Sequence, residues 1–183
     1  MALLTLAEAK LQLDIETTAQ DTELQAYVDA LTDVVERYTG PVITREVTDT
    51  VEGNGTTLCL TRTPAVALVS VTPALPAGSA LDLGTVLLHG RTGIVRCRSG
   101  GTFGRGLWDV VYTVGRGATV PPTINLAARI LLQHLWRTQH GAARGGGGAD
   151  DYAVTEPIVG FGYAVPNRVL ELLEPYRLPP EVG

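Results

Sequence analysis

The sequence predicts an α+β fold. Two N-terminal helices and a long third helix form a small helical bundle, an antiparallel β module is inserted between them, and an extended arm closes the chain. Three observations carry this reading. A long amphipathic stripe stops at Tyr38-Thr39-Gly40-Pro41. Short strand-like runs separated by Gly and Pro fill the middle third. The last of these, Trp108-Asp109-Val110-Val111-Tyr112-Thr113-Val114-Gly115, leads into a helix opened by Pro121-Pro122-Thr123-Ile124. The expected divisions are 1–41 for the N-terminal helices, 42–117 for the β insertion and 118–140 for the third helix packing on the first two. A flexible Gly-rich loop over 141–159 and a short helix with its arm over 160–183 complete the chain.

Each element has a local cause. Thr5-Leu6-Ala7-Glu8 is a capping box, in which the Thr hydroxyl accepts an early backbone N–H and the Glu reaches back. A short helix follows to about Leu13, and Thr18 to Asp21 repeats the start signal. Leu24, Tyr27, Val28, Leu31, Val34, Val35 and Tyr38 then recur at helical spacing and form one apolar stripe. The opposite face carries Glu23, Asp29, Asp33 and Glu36. Gly40 supplies a left-handed cap and Pro41 forbids continuation.

In the middle, Ile43, Val47 and Val51 alternate on one face. Gly53-Asn54-Gly55 reads as a turn returning through Thr57 to Leu60 as a hairpin. Further strands are expected at Val66 to Val71, Val86 to Leu88, Ile94 to Cys97 and Leu107 to Val114, with a Gly-rich loop over Ser99 to Gly106. The whole reads as a sandwich or a partial barrel. The third helix, through Ile124, Leu131, Leu132, Leu135 and Trp136, is apolar nearly all round, so it is buried within the fold or between subunits. Gly141 to Asp151 is a linker or a loop ordered by a partner. A short helix, Asn167 to Glu174, ends at Pro175, and Tyr176 to Pro180 is expected to be extended.

The chain has 183 residues, 45% of them hydrophobic and 18% charged, with a formal charge of −5. That composition excludes a disordered protein. The charge is segregated: residues 1–60 carry −8, 61–149 carry +7 and 150–183 carry −4. Thirteen of the fourteen basic residues are Arg, which suits planar contacts with carboxylates. An acidic end and a basic middle could dock head to tail between copies, or be chance segregation on solvated faces. Cys59 and Cys97 read as small buried hydrophobes in strands, with a disulfide left open. Neither a signal peptide nor a membrane-length apolar run is expected, which points to a protein made and kept in a cytosol or assembled into something there.

Catalytic patterns fail on chemistry. The run Gly100-Gly101-Thr102-Phe103-Gly104-Arg105-Gly106 precedes a strand and lacks the Lys-Ser/Thr ending of a phosphate loop. His134 and His140 are six apart, off one helical face for a metal. No Ser sits in a nucleophile elbow. Arg91, Arg96, Arg98, Arg105 and Arg116 share 26 residues with one acid, Asp109. They suit salt bridges to a partner, or weak contact with passing DNA, better than sequence-specific binding. The reading is therefore of a non-enzyme with no cofactor and no metal.

Five stretches together resemble the head–tail connector (head-completion adaptor) proteins of long-tailed double-stranded DNA phages. They are Leu4-Thr5-Leu6-Ala7-Glu8-Ala9-Lys10; Glu36-Arg37-Tyr38-Thr39-Gly40; Leu58-Cys59-Leu60 with Pro64 and Val69-Ser70-Val71; the Trp108 to Gly115 strand; and Val120 to Ile124, opening the Ala-rich helix through His134-Leu135-Trp136. They span about residues 3–137. The segment from Gly160 to Pro180 is similar to the C-terminal segment of some such adaptors. The chain departs from many relatives after the third helix, where Trp136-Arg137-Thr138-Gln139 and a Gly-rich insert stand in place of a Tyr and an Arg-Glu pair.

The resemblance implies a virion structural protein in a ring of identical subunits, commonly twelve, under the portal at the capsid vertex. Its implied partners are other copies, the portal protein, the next neck or tail protein and passing double-stranded DNA, with no membrane. Assembly would take place in the host bacterial cytoplasm. A C-terminal arm would bind portal through Phe161, Tyr163, Val165, Pro166, Val169, Leu172, Leu173, Pro175, Tyr176, Arg177, Leu178 and Pro179. Arg129, Leu132, Trp136 and Arg137 are expected at the subunit interface, and Glu23, Asp29, Asp33 and Glu36 facing the channel. A stopper or tail terminator is the alternative, and a small enzyme a more distant one.

Overall fold

Thr5 starts the first helix as its sequence requires. In a computed structural model, which describes residues 2–140 and 165–178, its hydroxyl accepts the Glu8 N–H at 3.2 Å while Glu8 accepts the Thr5 N–H at 2.8 Å. The contact pattern divides the chain into two units, one from Met1–Thr39 with Val120–Gly183 and the other from Gly40–Thr119.

The first unit is helical. α1 covers Leu6–Leu13, α2 Asp21–Thr39, α3 Pro122–His140 and α4 Asn167–Leu173. The α2 stripe buries Leu24, Val28, Leu31 and Val35 completely, while Tyr27, Val34 and Tyr38 flank it half-buried. On α3, Ile124, Ala127, Ala128, Leu131 and Leu132 are fully buried. Their removal from water is the main term holding these helices together. The N-terminal strap is fixed too, with Leu3 and Leu4 buried and the Leu3 N–H donating to Thr32 Oγ1 at 3.1 Å. α4 packs on α3. A 3₁₀ turn, Glu174–Tyr176, follows it, so Pro175 ends the α-helix while Tyr176 still belongs to the turn.

The second unit is a β sandwich. β1 covers Arg45–Gly55, β2 Thr57–Cys59, β3 Ala65–Leu75, β4 Val86–His89, β5 Ile94–Cys97 and β6 Phe103–Val114. One antiparallel sheet has the order β1-β6-β3 and the other β2-β5-β4. One core joins the two inner faces: Val51, Val71, Val110 and Val114 from the first meet Leu58, Val86 and Val95 from the second. Strict alternation on β6 puts Trp108, Val110, Tyr112 and Val114 inside.

The α+β expectation holds, but four local expectations are corrected. The hairpin at Gly53-Asn54-Gly55 does not form: β1 pairs with β6 along its length, and β2 crosses to pair with β5. Gly53 serves close approach instead of a turn, since a Cβ there would lie 2.3 Å from Trp108 Nε1. The Gly-rich loop is shorter than expected, because β6 already begins at Phe103, whose ring is buried edge-on against Trp108. β3 runs through Pro73 to Leu75, which an edge strand tolerates. Cys59 is exposed, because β2 is an edge strand whose Leu58 takes the inward position, while Cys97 on β5 packs half-buried against the core as expected; both are free thiols.

Candidate functional site

The helical unit presents three groups of polar contacts. The first ties α1 to α3. Arg129 donates to Glu8 Oε1 at 3.0 Å and to its neighbour Asn125 Oδ1 at 2.8 Å. Glu8 also takes the Thr5 amide and hydroxyl. These bonds, the backbone one foremost, with help from Arg129, hold its carboxyl below the usual carboxylate range against the opposing effect of burial. Of the expected interface set, Arg129 is thus engaged within its own chain and Leu132 is fully buried there. Trp136 is buried edge-on against Tyr27 with ring centroids 5.5 Å apart, and Arg137 is exposed.

The second group fastens the C-terminal segment. Val165, Pro166, Val169 and Leu173 are buried in the helical unit, Leu172, Tyr176 and Leu178 are half-buried, and Pro175 and Arg177 are exposed. The Tyr38 hydroxyl donates to Glu174 Oε2, Arg177 lies 5.6 Å over the Tyr38 ring, and the Leu178 N–H donates to the Tyr38 carbonyl at 3.1 Å. Burial foremost, then the bond to Glu174, raises the Tyr38 pKa; the same bond lowers that of Glu174. The segment therefore splits into an inward apolar side and an outward polar side. Phe161, Tyr163, Pro179 and the Gly-rich stretch of 141–159 lie outside the described residues.

The third group is the acidic face of α2. Glu23, Asp29 and Asp33 are exposed and Glu36 is half-buried. Glu23 meets His140 Nε2 at 3.0 Å and Asp29 accepts from Gln25 at 3.0 Å. Asp29, Asp33 and Glu36 thus share the outward side of the helix, as their spacing requires, while Glu23 lies off that side, towards His140 of α3.

Sequence reasoning missed two surfaces. The outer face of the β2-β5-β4 sheet carries a depression of about 300 Å³ lined by Leu87, His89, Thr92, Ile94 and Arg96. The alternation of β4 and β5 was the available signal, for it puts Val86 and Val95 inside and Leu87 and Arg96 outside. The other is Leu11, 78% exposed on α1. It sits two residues from buried Ala9, hence off the inward side of that helix. Among the described residues no cluster of three metal-ligating side chains exists, and no helix is long and apolar enough to cross a membrane.

The described residues thus form a helical unit with a fastened C-terminal segment and a β sandwich with shaped and charged outer faces. The family model of the head completion proteins matches residues 2–178, and the chain belongs to that family of phage structural proteins, which are not enzymes. A search of curated protein sequences returns no match.

Solved structures share the fold. A chain in the neck of an empty gene transfer agent particle, computed with C6 symmetry, is 18% identical at a TM-score of 0.67, covering 99% of this chain and 92% of that one. The neck of the native particle, computed with C12 symmetry, gives 18% and 0.66, with coverages of 97% and 90%. The virion of the native particle gives 19% and 0.65, with coverages of 99% and 92%.

Proposed function

We propose that this chain is a head-to-tail adaptor of a phage particle. Identical subunits, twelve in number, form a ring under the portal at the capsid vertex, extend the DNA channel and offer a platform to the next neck or tail protein. The observation that carries this reading is the match to head completion proteins across residues 2–178. The necks that share the fold were computed with C6 and C12 symmetry, which supports a cyclic arrangement with a twelvefold count. The ring assembles in the host cytoplasm and remains in the virion neck.

Within that reading, the outward side of the C-terminal segment, with Pro175 and Arg177, meets the portal, while Val165, Val169 and Leu173 act indirectly by holding the segment in place. The acidic side of α2 faces the channel, where like charge keeps DNA from sticking. Arg137, exposed at the end of α3, belongs to the subunit interface.

Image averaging of necks from particles carrying this chain tests the proposal. It should place a closed ring of the chain directly beneath the portal; density at the tail end of the neck would assign a stopper or terminator role instead. Pro175→Ala with Arg177→Ala, at two exposed positions, keeps Val165, Val169 and Leu173 buried and should still fold, yet fail to join tails to filled heads. Normal joining by that variant would remove the outward side of the segment from the portal contact.

A further inference from the structure

The outer face of the β2-β5-β4 sheet has a chemistry that the ring reading leaves unused. Its depression has apolar walls from Leu87, 50% exposed, and Ile94. Arg96 stands opposite Leu87 in the strand register, and Arg91 lies in the turn that joins β4 to β5. The side chains of Arg91 and Arg96 are both exposed and form no hydrogen bond or ion pair with another described residue. Cys59, opposite Ile94 in register, is exposed on the same face.

The C-terminal end of α1 is complementary. Leu11 is the most exposed large apolar side chain among the described residues, at 78%. Asp14 caps the helix in the left-handed conformation (φ 57) and is exposed, as is Glu16. Neither carboxylate has a side-chain partner among the described residues. The one cation close by in sequence, Lys10, is already paired with Asp21 at 2.6 Å. The corner is therefore an apolar knob beside two acids unpaired among the described residues. The sheet face is an apolar depression beside two arginines unpaired among the described residues.

We infer that these two surfaces bind each other between copies, with Leu11 of one subunit seated in the Leu87–Ile94 depression of the next and Asp14 and Glu16 meeting Arg91 and Arg96. The two patches differ, so the contact is heterologous and propagates head to tail, closing only through a ring. Burial of the exposed leucines supplies the gain that does not depend on charge, and the Arg–carboxylate pairs set register. The inference rests on the ring reading and assigns the subunit contact within it.

Disulfide trapping tests it. Leu11→Cys, in a Cys97→Ser background, is placed in the full-length chain, and the purified protein and isolated necks are oxidised with copper–phenanthroline. The expected result is a ladder of covalent species beyond the dimer, lost when Cys59→Ser is added. As a second measurement, Arg91→Glu with Arg96→Glu should weaken self-association at least about tenfold, and adding Asp14→Arg with Glu16→Arg should restore it.

A covalent product that stops at the dimer would overturn the head-to-tail arrangement, and a disulfide within one chain would place Leu11 on its own sheet. Intact rings without a ladder would overturn this contact and leave the ring standing. No closed ring in isolated necks would overturn both.

Discussion

The Tyr112 hydroxyl on β6 donates to the Asp49 carboxylate on β1, inside the β sandwich where Asp49 is only 7% exposed. Asp49 also accepts the Thr61 N–H at 2.8 Å and its hydroxyl at 2.7 Å, and the Arg62 guanidinium stands 4.0 Å away. The Arg62 N–H in turn donates to the Tyr112 oxygen at 3.1 Å. The network thus fastens the start of the 60–64 connection to both strands.

Burial alone would raise the Asp49 pKa, but the bonds from Tyr112 and Thr61 outweigh it and hold the carboxyl below its usual range. Its stabilisation is present above the unfolded value of about 4 and is lost as pH falls through the lower folded value. Burial, then the bond to Asp49, pushes Tyr112 up to about 12. Its stabilisation is present below about pH 10 and is lost as pH rises towards the folded value. Thermal melts across pH should show both limbs. Asp49→Asn should flatten the acid one, and Tyr112→Phe should flatten the alkaline one at a cost of about 1–3 kcal/mol near neutrality.

The α1 cap and the α1–α3 tie share Glu8. Thr5→Ala removes the hydroxyl that accepts the Glu8 N–H and should cost about 1 kcal/mol, measured by denaturant unfolding. Glu8→Gln keeps the side chain's shape but weakens its charge-assisted bond to Arg129, so a double-mutant cycle with Arg129→Ala should show coupling. Independent, additive effects would mean that the ion pair seen at 3.0 Å contributes nothing.

Tyr38 holds the C-terminal segment by its hydroxyl, ring and carbonyl. Tyr38→Phe removes the hydroxyl contact alone. Hydrogen exchange should then speed up at the Leu178 amide and in the turn at Glu174–Tyr176, while the α2 stripe stays protected. Tyr38→Ala should loosen the segment further because the Arg177 stacking partner goes too.

Gly53→Ala drives a methyl into Trp108, with Nε1 at 2.3 Å and the Gly104 carbonyl at 2.6 Å from the new atom. The indole also donates to that carbonyl at 3.0 Å, so it cannot shift without breaking its own bond. Destabilisation of about 1–3 kcal/mol with a changed Trp fluorescence spectrum is expected. Gly104→Ala is the control, since nothing lies within 4 Å of a Cβ built there and its φ is not in the left-handed region.

Much of the fold was legible because its causes are local. The Thr5–Glu8 box, the α2 stripe from Leu24 to Tyr38 and the β6 alternation each depend on residues a few positions apart, and a periodic pattern reports them. The acidic side of α2 follows from the same periodicity. The interface residues were harder to read, because an apolar helix such as α3 looks the same whether it faces its own unit or a neighbour. The structure places Leu132 in its own core. The inward position of Asp49, on the parity of Val47 and Val51, was visible, but its partners were not.

The sequence by itself determined the helices, their caps, most strands and the absence of a catalytic pattern, all properties of short windows. It also carried the family resemblance, through motifs spread along the chain. Tertiary structure decided what Gly53, Cys59 and Tyr38 are for. Gly53 reads as a turn until Trp108, distant in sequence, lies across it. Cys59 reads as core until β2 takes an edge position with Leu58 inward. Tyr38 completes a helical stripe until the chain returns, 136 residues later, to place Glu174 against its hydroxyl. Such roles depend on contacts between distant segments, and no local pattern encodes which distant segment will arrive.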